Sequence, residues 1–600
     1  MRRAVFGLVG ALMVAVAPAA VAASAPVRHQ PGTDRSATSR IVPLTVPGHD
    51  GFQRAYIRTG RPAPAVQATA PKVALTVKVS DRAGKPVTDG LVYLCNMDDS
   101  NLYCSGHETT NGQIHVSVPL GNYSAIAQFE QPGKVAKTQV HYQLPIADYL
   151  VSGAGQTLSL DAKHVHRMAI TTPRPATMAG LVTDWVRLDP NGRGLEVNDS
   201  VEAGSISYVG ASPRPTVGEQ RWMTLWHLAG QPTKGIPYTY DATYEQLGRI
   251  SANQTHKVTN AQVARVDSYY YSDGPRRTNG YLRTPHYPFG YQAFDFGLRM
   301  SGPLHRMEYV VGPLGVSWSS VLVANTTPEL IVGEAMVSGS RLLPAGSRQR
   351  VNWLRGPLAP GFVVPTDVEP DWECDTCRVA KEMSVQFDDV TDADPNHAAS
   401  FDSVPDGPPV MRFRLYRNGR LISNVPDGDG DTVAVPAGSA TYRAIQSVRR
   451  DQDGFIGSPK STMDVTFHSS ATSGAPLPKG WNCGDTTICT VLPILQARIP
   501  LPTDLSGHLP VGTSTTAINV DHVAGAAKSA IRSAKLQLSN DAGKTWRAAP
   551  TVALGGGKYR AVLTNPRSQA GHWVSLRLTA TDAAGGKLVK TVTNAYSVGK

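Results

Sequence analysis

Glycine and proline interrupt this chain about once every six residues, at 56 and 45 of its 600 positions. Long helices do not survive that spacing. Proline removes a helical hydrogen bond, and glycine costs roughly 0.5–1 kcal/mol in a helix interior. The breaks have no three-residue period, which excludes collagen. Between them stand short β-branched runs that alternate in polarity, such as Val73-Ala74-Leu75-Thr76-Val77-Lys78-Val79 and Ile114-His115-Val116-Ser117-Val118. Runs of this length and period read as strands. Helical periodicity is scarce, and residues 242–250 carry its best short instance. The expected fold class is therefore all-β, a series of tandem β-sandwich domains following an export signal. A hydrophobic share of 41% excludes a disordered chain, and a mean hydropathy of -0.20 excludes a polytopic membrane protein.

Residues 1–23 read as a signal peptide: Arg2 and Arg3, an apolar run from Ala4 to Ala17, then small residues around Ala20-Val21-Ala22-Ala23. The apolar run is shorter than the ~20 residues that span a bilayer. Residues 24–72 are rich in Ala and Pro and read as an exposed leader. A first sandwich is expected over 73–170 and an aromatic-rich β domain over 171–360. A further sandwich follows over 361–475, and an immunoglobulin-like sandwich over 476–600. In the third segment, Met411-Arg412-Phe413-Arg414-Leu415-Tyr416, the turn Arg417-Asn418-Gly419-Arg420, then Leu421-Ile422 predict a hairpin.

The net charge is +11, and Arg2 and Arg3 supply two of it. The longest basic clusters are doublets, so neither nucleic acid binding nor membrane insertion is expected. A mildly basic surface favours acidic polymers such as cell-wall anions. The six cysteines fall into three close pairs, Cys95/Cys104, Cys374/Cys377 and Cys483/Cys489, expected as structural disulfides of an extracellular protein. Zinc held by Cys374, Cys377, Cys483 and Cys489 is the weaker alternative.

Three groups of residues carry candidate chemistry. Ser539, Asp541, Gly543, Thr545 and Trp546 fit an Asp-box turn, S-x-D-x-G-x-T-W, in which Asp caps the turn and Gly takes the positive φ. One copy is a stable hairpin and not a glycosidase signature. Asp427, Asp429 and Asp431 alternate in a way that suits calcium, but the ligands an EF-hand needs further on are missing, and a polar hairpin turn is the plainer reading. No other cofactor is expected. Tyr269, Tyr271, Tyr287 and Tyr291 could stack on a saccharide, against the alternative of cross-strand packing. No G-x-S-x-G, H-E-x-x-H or Walker A motif is present, although a Ser-His-Asp set dispersed along the chain is compatible with the composition.

Strand, D-x-x-G-x-P turn, strand, then Pro119-Leu120-Gly121-Asn122-Tyr123 resembles the prealbumin-like sandwich of carboxypeptidase regulatory-like domains. Further on, Arg306-Met307-Glu308-Tyr309, Val316-Ser317-Trp318, Trp353 with Gly356-Pro357, Val435-Pro436-Ala437-Gly438, the Asp box and the closing Val574 to Asp582 run carry a second resemblance. Together they are similar to the accessory region C-terminal to the catalytic domain in large secreted actinobacterial subtilisin-like serine proteases. That family's G-T-S-M-A-x-P and H-G-T signatures are absent; Gly512-Thr513-Ser514 matches only three letters. The resemblance implies a fold and not a peptidase activity. The expected function is a secreted, non-catalytic binding or accessory protein whose partner is an extracellular polymer, the cell envelope or a protease. The alternatives are a secreted hydrolase of protein or glycan with a dispersed site in 171–360, or a subtilase inhibitor.

Overall fold

Successive side chains of the strand Leu91–Asn96 enter two different hydrophobic cores. Val92 and Leu94 belong to one, Leu91, Tyr93 and Cys95 to another, and all are buried. A strand covered on both faces lies in an inner sheet, and the N-terminal half of the molecule is a stack of β layers. The computed structural model describes residues 40–44, 55–59, 71–233, 235–273, 277–292, 298–323, 335–366, 372–400, 410–451, 455–484 and 488–599. The expected signal segment 1–23 lies outside them. No α-helix occurs among the described residues, and the chain is an all-β protein of tandem sandwiches.

The outermost layer is a three-stranded sheet of Lys72–Ser80, Gln113–Pro119 and Gln156–Asp161. It packs on a six-stranded sheet whose middle strands are Gln139–Val151 and Gly121–Pro132. The other face of that sheet packs on a nine-stranded central sheet. The central sheet runs from Arg40–Pro43 and Ala55–Thr59 through Ala176–Leu188, Glu219–Thr233 and Ile236–Leu247 to Leu304–Val311, Ala264–Tyr270 and Arg348–Trp353. Its far face packs on an eight-stranded sheet that includes Arg277–Tyr287 and Ser317–Val323.

Between those last two sheets lies a buried ionic network. Glu308 accepts from Arg283 Nη2 (2.6 Å) and from Arg306 Nη2 and Nε (2.6 and 2.9 Å), while Arg283 Nη1 reaches Asp241 (3.2 Å) and His227 Nδ1 pairs with Asp241 (2.8 Å). Charges buried this deeply persist only when paired and hydrogen-bonded.

The C-terminal half shares one core. Its long sheet joins Met411–Arg417, Ala440–Arg449 and Lys460–Ser469 to Lys587–Val598, Trp573–Asp582 and Ile531–Ser539, so strands from both sides of residue 475 pair directly, Ser461 opposite Val592. The Asn418-Gly419 turn forms the expected hairpin, with both residues at positive φ (48° and 80°) and Arg417 opposite Arg420.

Two expectations are corrected. The supposed leader supplies two strands: Ile57 pairs with Leu195, and Ala55 and Leu44 are buried. Ile41-Val42 and Ala55-Tyr56-Ile57 are strand formers hidden in an Ala/Pro-rich average. The helical periodicity at 242–250 also gives way, because Ala242 to Leu247 continue the strand Ile236–Leu247 and pair with Trp226 to Arg221. Tertiary pairing overrides a short local period.

Candidate functional site

The last strands of the central sheet bring together side chains far apart in sequence. Ala264–Tyr270 pairs antiparallel with Leu304–Val311 and parallel with Arg348–Trp353. The register sets Arg265 beside Tyr309 and Arg348, Asp267 beside Met307 and Arg350, and Tyr269 beside His305 and Asn352. Alternation turns Ala264, Val266 and Tyr270 into the core on one face. On the other face Arg265, Arg348 and Arg350 are exposed, and Asp267, Tyr269 and His305 are half-buried.

The contacts order this face. The Tyr269 ring stacks on His305 with centroids 4.2 Å apart and planes 7° from parallel, and the Arg350 guanidinium lies 4.1 Å from the same ring centroid. His305 Nε2 bonds Asp267 Oδ1 at 2.6 Å, and the Tyr269 hydroxyl donates to Asp267 Oδ2 at 3.3 Å. Burial and the Asp267 charge push the Tyr269 hydroxyl above the ordinary phenol range. Arg265 Nε lies 2.8 Å from Met307 Sδ. One carboxylate thus shares this face with three guanidiniums, and it is engaged by His305 and Tyr269. Arg348 and Arg350 stand two residues apart on one strand, about 6.6 Å. A row of guanidinium forks, one held against Tyr269 and one beside Met307, is suited to carboxylate, sulfate or phosphate groups repeated along a polymer.

The tyrosines named from sequence part company here. Tyr269 lies on this face, its ring engaged by His305 and Arg350, so it acts as a spacer that holds Arg350. Tyr271 is buried, and Tyr287 is buried with its hydroxyl 2.5 Å from Thr243 Oγ1 and its ring against Phe289. The backbone of Tyr291 pairs opposite Tyr287, and its side chain lies outside the described residues. Sequence reasoning found Tyr269 by residue type and missed Arg265, His305, Arg348 and Arg350, which only the strand register makes neighbours.

The Asp427 and Asp431 carboxylates accept hydrogen bonds from neighbouring protein groups. Asp427 Oδ1 accepts from Val410 N (2.8 Å), and Asp431 accepts from Ser423 Oγ (2.6 Å) and Thr432 N (2.8 Å). The backbone carbonyl of Asp429 accepts from Phe387 N at 2.9 Å. The cysteines are joined as Cys95–Cys104, Cys374–Cys377 and Cys483–Cys489, the last two bonds lying side by side. In the Asp-box hairpin, Asp541 accepts from the Thr545 hydroxyl (2.5 Å), Thr545 N (2.9 Å) and the Ser539 hydroxyl (2.7 Å), which hold its carboxyl well below the usual range. Gly543 takes φ +90°, and Arg577 lies over the Trp546 ring at 4.2 Å.

Ser529, His522 and Asp582 also meet. Asp582 Oδ2 accepts from Ser529 Oγ at 2.6 Å and bonds His522 Nε2 at 2.9 Å; Ser529 Oγ is 3.5 Å from the same Nε2. A catalytic triad needs the hydroxyl and the carboxylate on opposite ring nitrogens. Here both sit at one nitrogen, and the serine proton is committed to the carboxylate.

No family model matches this chain, and no curated protein matches it. Among solved structures it is similar to Escherichia coli alpha-2-macroglobulin activated by porcine elastase, at 10% identity over 88% of this chain and 53% of that one, TM-score 0.14. It is also similar to the Bacillus anthracis TIE protein, at 8% identity over 53% of this chain and 57% of that one, TM-score 0.11. For the human desmocollin-1 ectodomain the values are 9%, 88%, 98% and 0.12. The chain spans about half the length of the first two. Likenesses at this level define no family.

Proposed function

We propose that this chain is a secreted, non-catalytic accessory protein that binds a polyanionic extracellular polymer, of the cell-envelope glycan type, through the Arg265–Arg348–Arg350 face. The observation that carries this reading is the ordered guanidinium row itself: three exposed arginines, one of them held against Tyr269, beside a single carboxylate that is already engaged. The three disulfides suit an oxidising compartment, in keeping with the signal-like N-terminus. The likeness of its motifs to protease accessory regions fits a chain that tethers or assists rather than cleaves. Co-sedimentation or calorimetry of the purified protein with an acidic polysaccharide such as alginate, beside a neutral glucan, tests the reading. Saturable binding to the acidic polymer that weakens steeply with salt is the expected result. Equal binding to both polymers, or to neither, overturns it.

A further inference from the structure

Where the six-stranded sheet meets the central sheet, one imidazole is ringed by three carboxylates from two strands. His141 comes from Gln139–Val151, Glu130 from Gly121–Pro132, and Asp199 and Glu202 from Gly194–Glu202. His141 is only 2% exposed and Asp199 is equally buried, whereas Glu130 and Glu202 reach the rim. His141 Nδ1 stands 3.2 Å from Asp199 Oδ2 and 3.6 Å from Glu130 Oε1, and one ligand atom from each of the three residues falls within 4.8 Å of the others. Two donors bonded to one tetrahedral zinc at about 2.05 Å sit about 3.3 Å apart. The observed separations straddle that value. On the far side of the ring, Nε2 makes no hydrogen bond, and Glu202 Oε2 lies 3.4 Å from it. A slight approach of Glu202 would let it accept from Nε2–H, as outer carboxylates do for metal-bound imidazoles.

The surroundings are rich in acceptors. Gln143 is fully buried and its amide nitrogen donates to Thr183 Oγ1 at 2.7 Å and lies 3.5 Å from Asp199 Oδ2, leaving Oε1 with no donor. Gln128, on the strand that carries Glu130, donates to the Asn198 carbonyl at 3.1 Å and likewise leaves a buried Oε1 with no donor. We infer that Glu130, His141 and Asp199 form a binding site for a zinc-class divalent metal that ties the six-stranded sheet to the central sheet, with Glu202 orienting the imidazole. One nitrogen with carboxylate oxygens selects a borderline transition metal over calcium, which prefers oxygen alone.

The test uses the full chain stripped with EDTA and then titrated with Zn2+ by calorimetry, and with Co2+ by visible absorption. One saturable site is expected, together with cobalt bands of low-symmetry coordination and a rise in Tm on adding Zn2+. Glu130→Gln removes a ligand at the exposed rim without opening the core, and should abolish the Tm rise. His141→Gln should abolish binding, and Glu202→Gln should weaken it by about ten- to a hundredfold. Absence of saturable uptake overturns the inference, as does wild-type binding and Tm response in Glu130→Gln. Should His141→Gln fail to fold, Glu130→Gln alone decides. Polymer binding at the arginine face is measured separately, so either result leaves the other intact.

Discussion

Tyr269 and His305 stack almost parallel, 4.2 Å apart, on a sheet face where Arg350 approaches the same ring. The tyrosine therefore fixes a cation more than it offers a platform. Arg350→Ala and Arg348→Ala should each weaken binding to an acidic polymer by about 1.4- to fivefold at low salt, since an exposed charge contact is worth roughly 0.2–1 kcal/mol. Tyr269→Ala should weaken it less, by freeing Arg350, whereas Tyr269→Phe keeps the stack and should bind as the wild type. Titrations at two salt concentrations check this: the arginine variants lose salt dependence as well as affinity.

Glu308 is fully enclosed between Arg283 and Arg306. Burial alone raises its pKa, but the two guanidiniums and the Tyr270 hydroxyl outweigh that and bring it to about 2. Glu308→Gln leaves two buried guanidiniums facing a neutral amide, and should destabilise by about 3–5 kcal/mol in urea unfolding. The sign with pH follows from linkage. A carboxyl with a depressed folded pKa stabilises above its unfolded value near 4.5 and loses that stabilisation as pH falls toward about 2. The wild type should therefore lose stability more steeply than Glu308→Gln between pH 4.5 and 2.

What the sequence made legible follows the range of the interactions. The Asn418-Gly419 hairpin and the Asp box are closed by residues next to one another, so their chemistry is written locally. Alternation likewise marked Val73–Val79 as a strand without saying that Leu91–Asn96 would be covered on both faces. Partners were not legible: Arg350 reaches Tyr269 only through strand pairing, and Glu308 meets Arg283 only where two sheets pack face to face. Composition misled where it averaged, hiding Ile41-Val42 and Ala55-Tyr56-Ile57 in an Ala/Pro-rich stretch. Periodicity misled at 242–250, where pairing of Ala242 to Leu247 with Trp226 to Arg221 decided the outcome.

The Ser529–His522–Asp582 group predicts inertness. Burial alone raises the Asp582 pKa, but hydrogen bonds from Ser529, His522 and the Gly586 amide outweigh that and hold the carboxyl below its usual range. With its hydroxyl donating to Asp582, Ser529 is not set against the His522 imidazole as its base. A fluorophosphonate probe should leave Ser529 unlabelled, and casein should survive incubation with the pure protein. Stoichiometric labelling that disappears in Ser529→Ala would contradict this and point to a hydrolase site outside residues 171–360.

Lys590 offers the most direct pH test of the C-terminal core. Its side chain is buried in the strand Lys587–Val598, and Nζ donates to the Ala497 carbonyl at 3.1 Å. Burial, with the nearby Arg498 charge, pushes its pKa from 10.5 down to about 7. Below pH 7 the ammonium is carried in both states and its desolvation weakens the fold. Above pH 7 the folded form releases the proton while the unfolded chain keeps it up to about 10.5, so stability rises with pH through that window. Lys590→Met fills the same space without a charge. It should raise the Tm at pH 6, and its advantage over the wild type should shrink steadily by pH 9 as the native lysine becomes neutral. Thermal unfolding of both proteins at pH 6, 7.5 and 9 reads this directly; an advantage that stays constant across the series would mean that Lys590 does not titrate there.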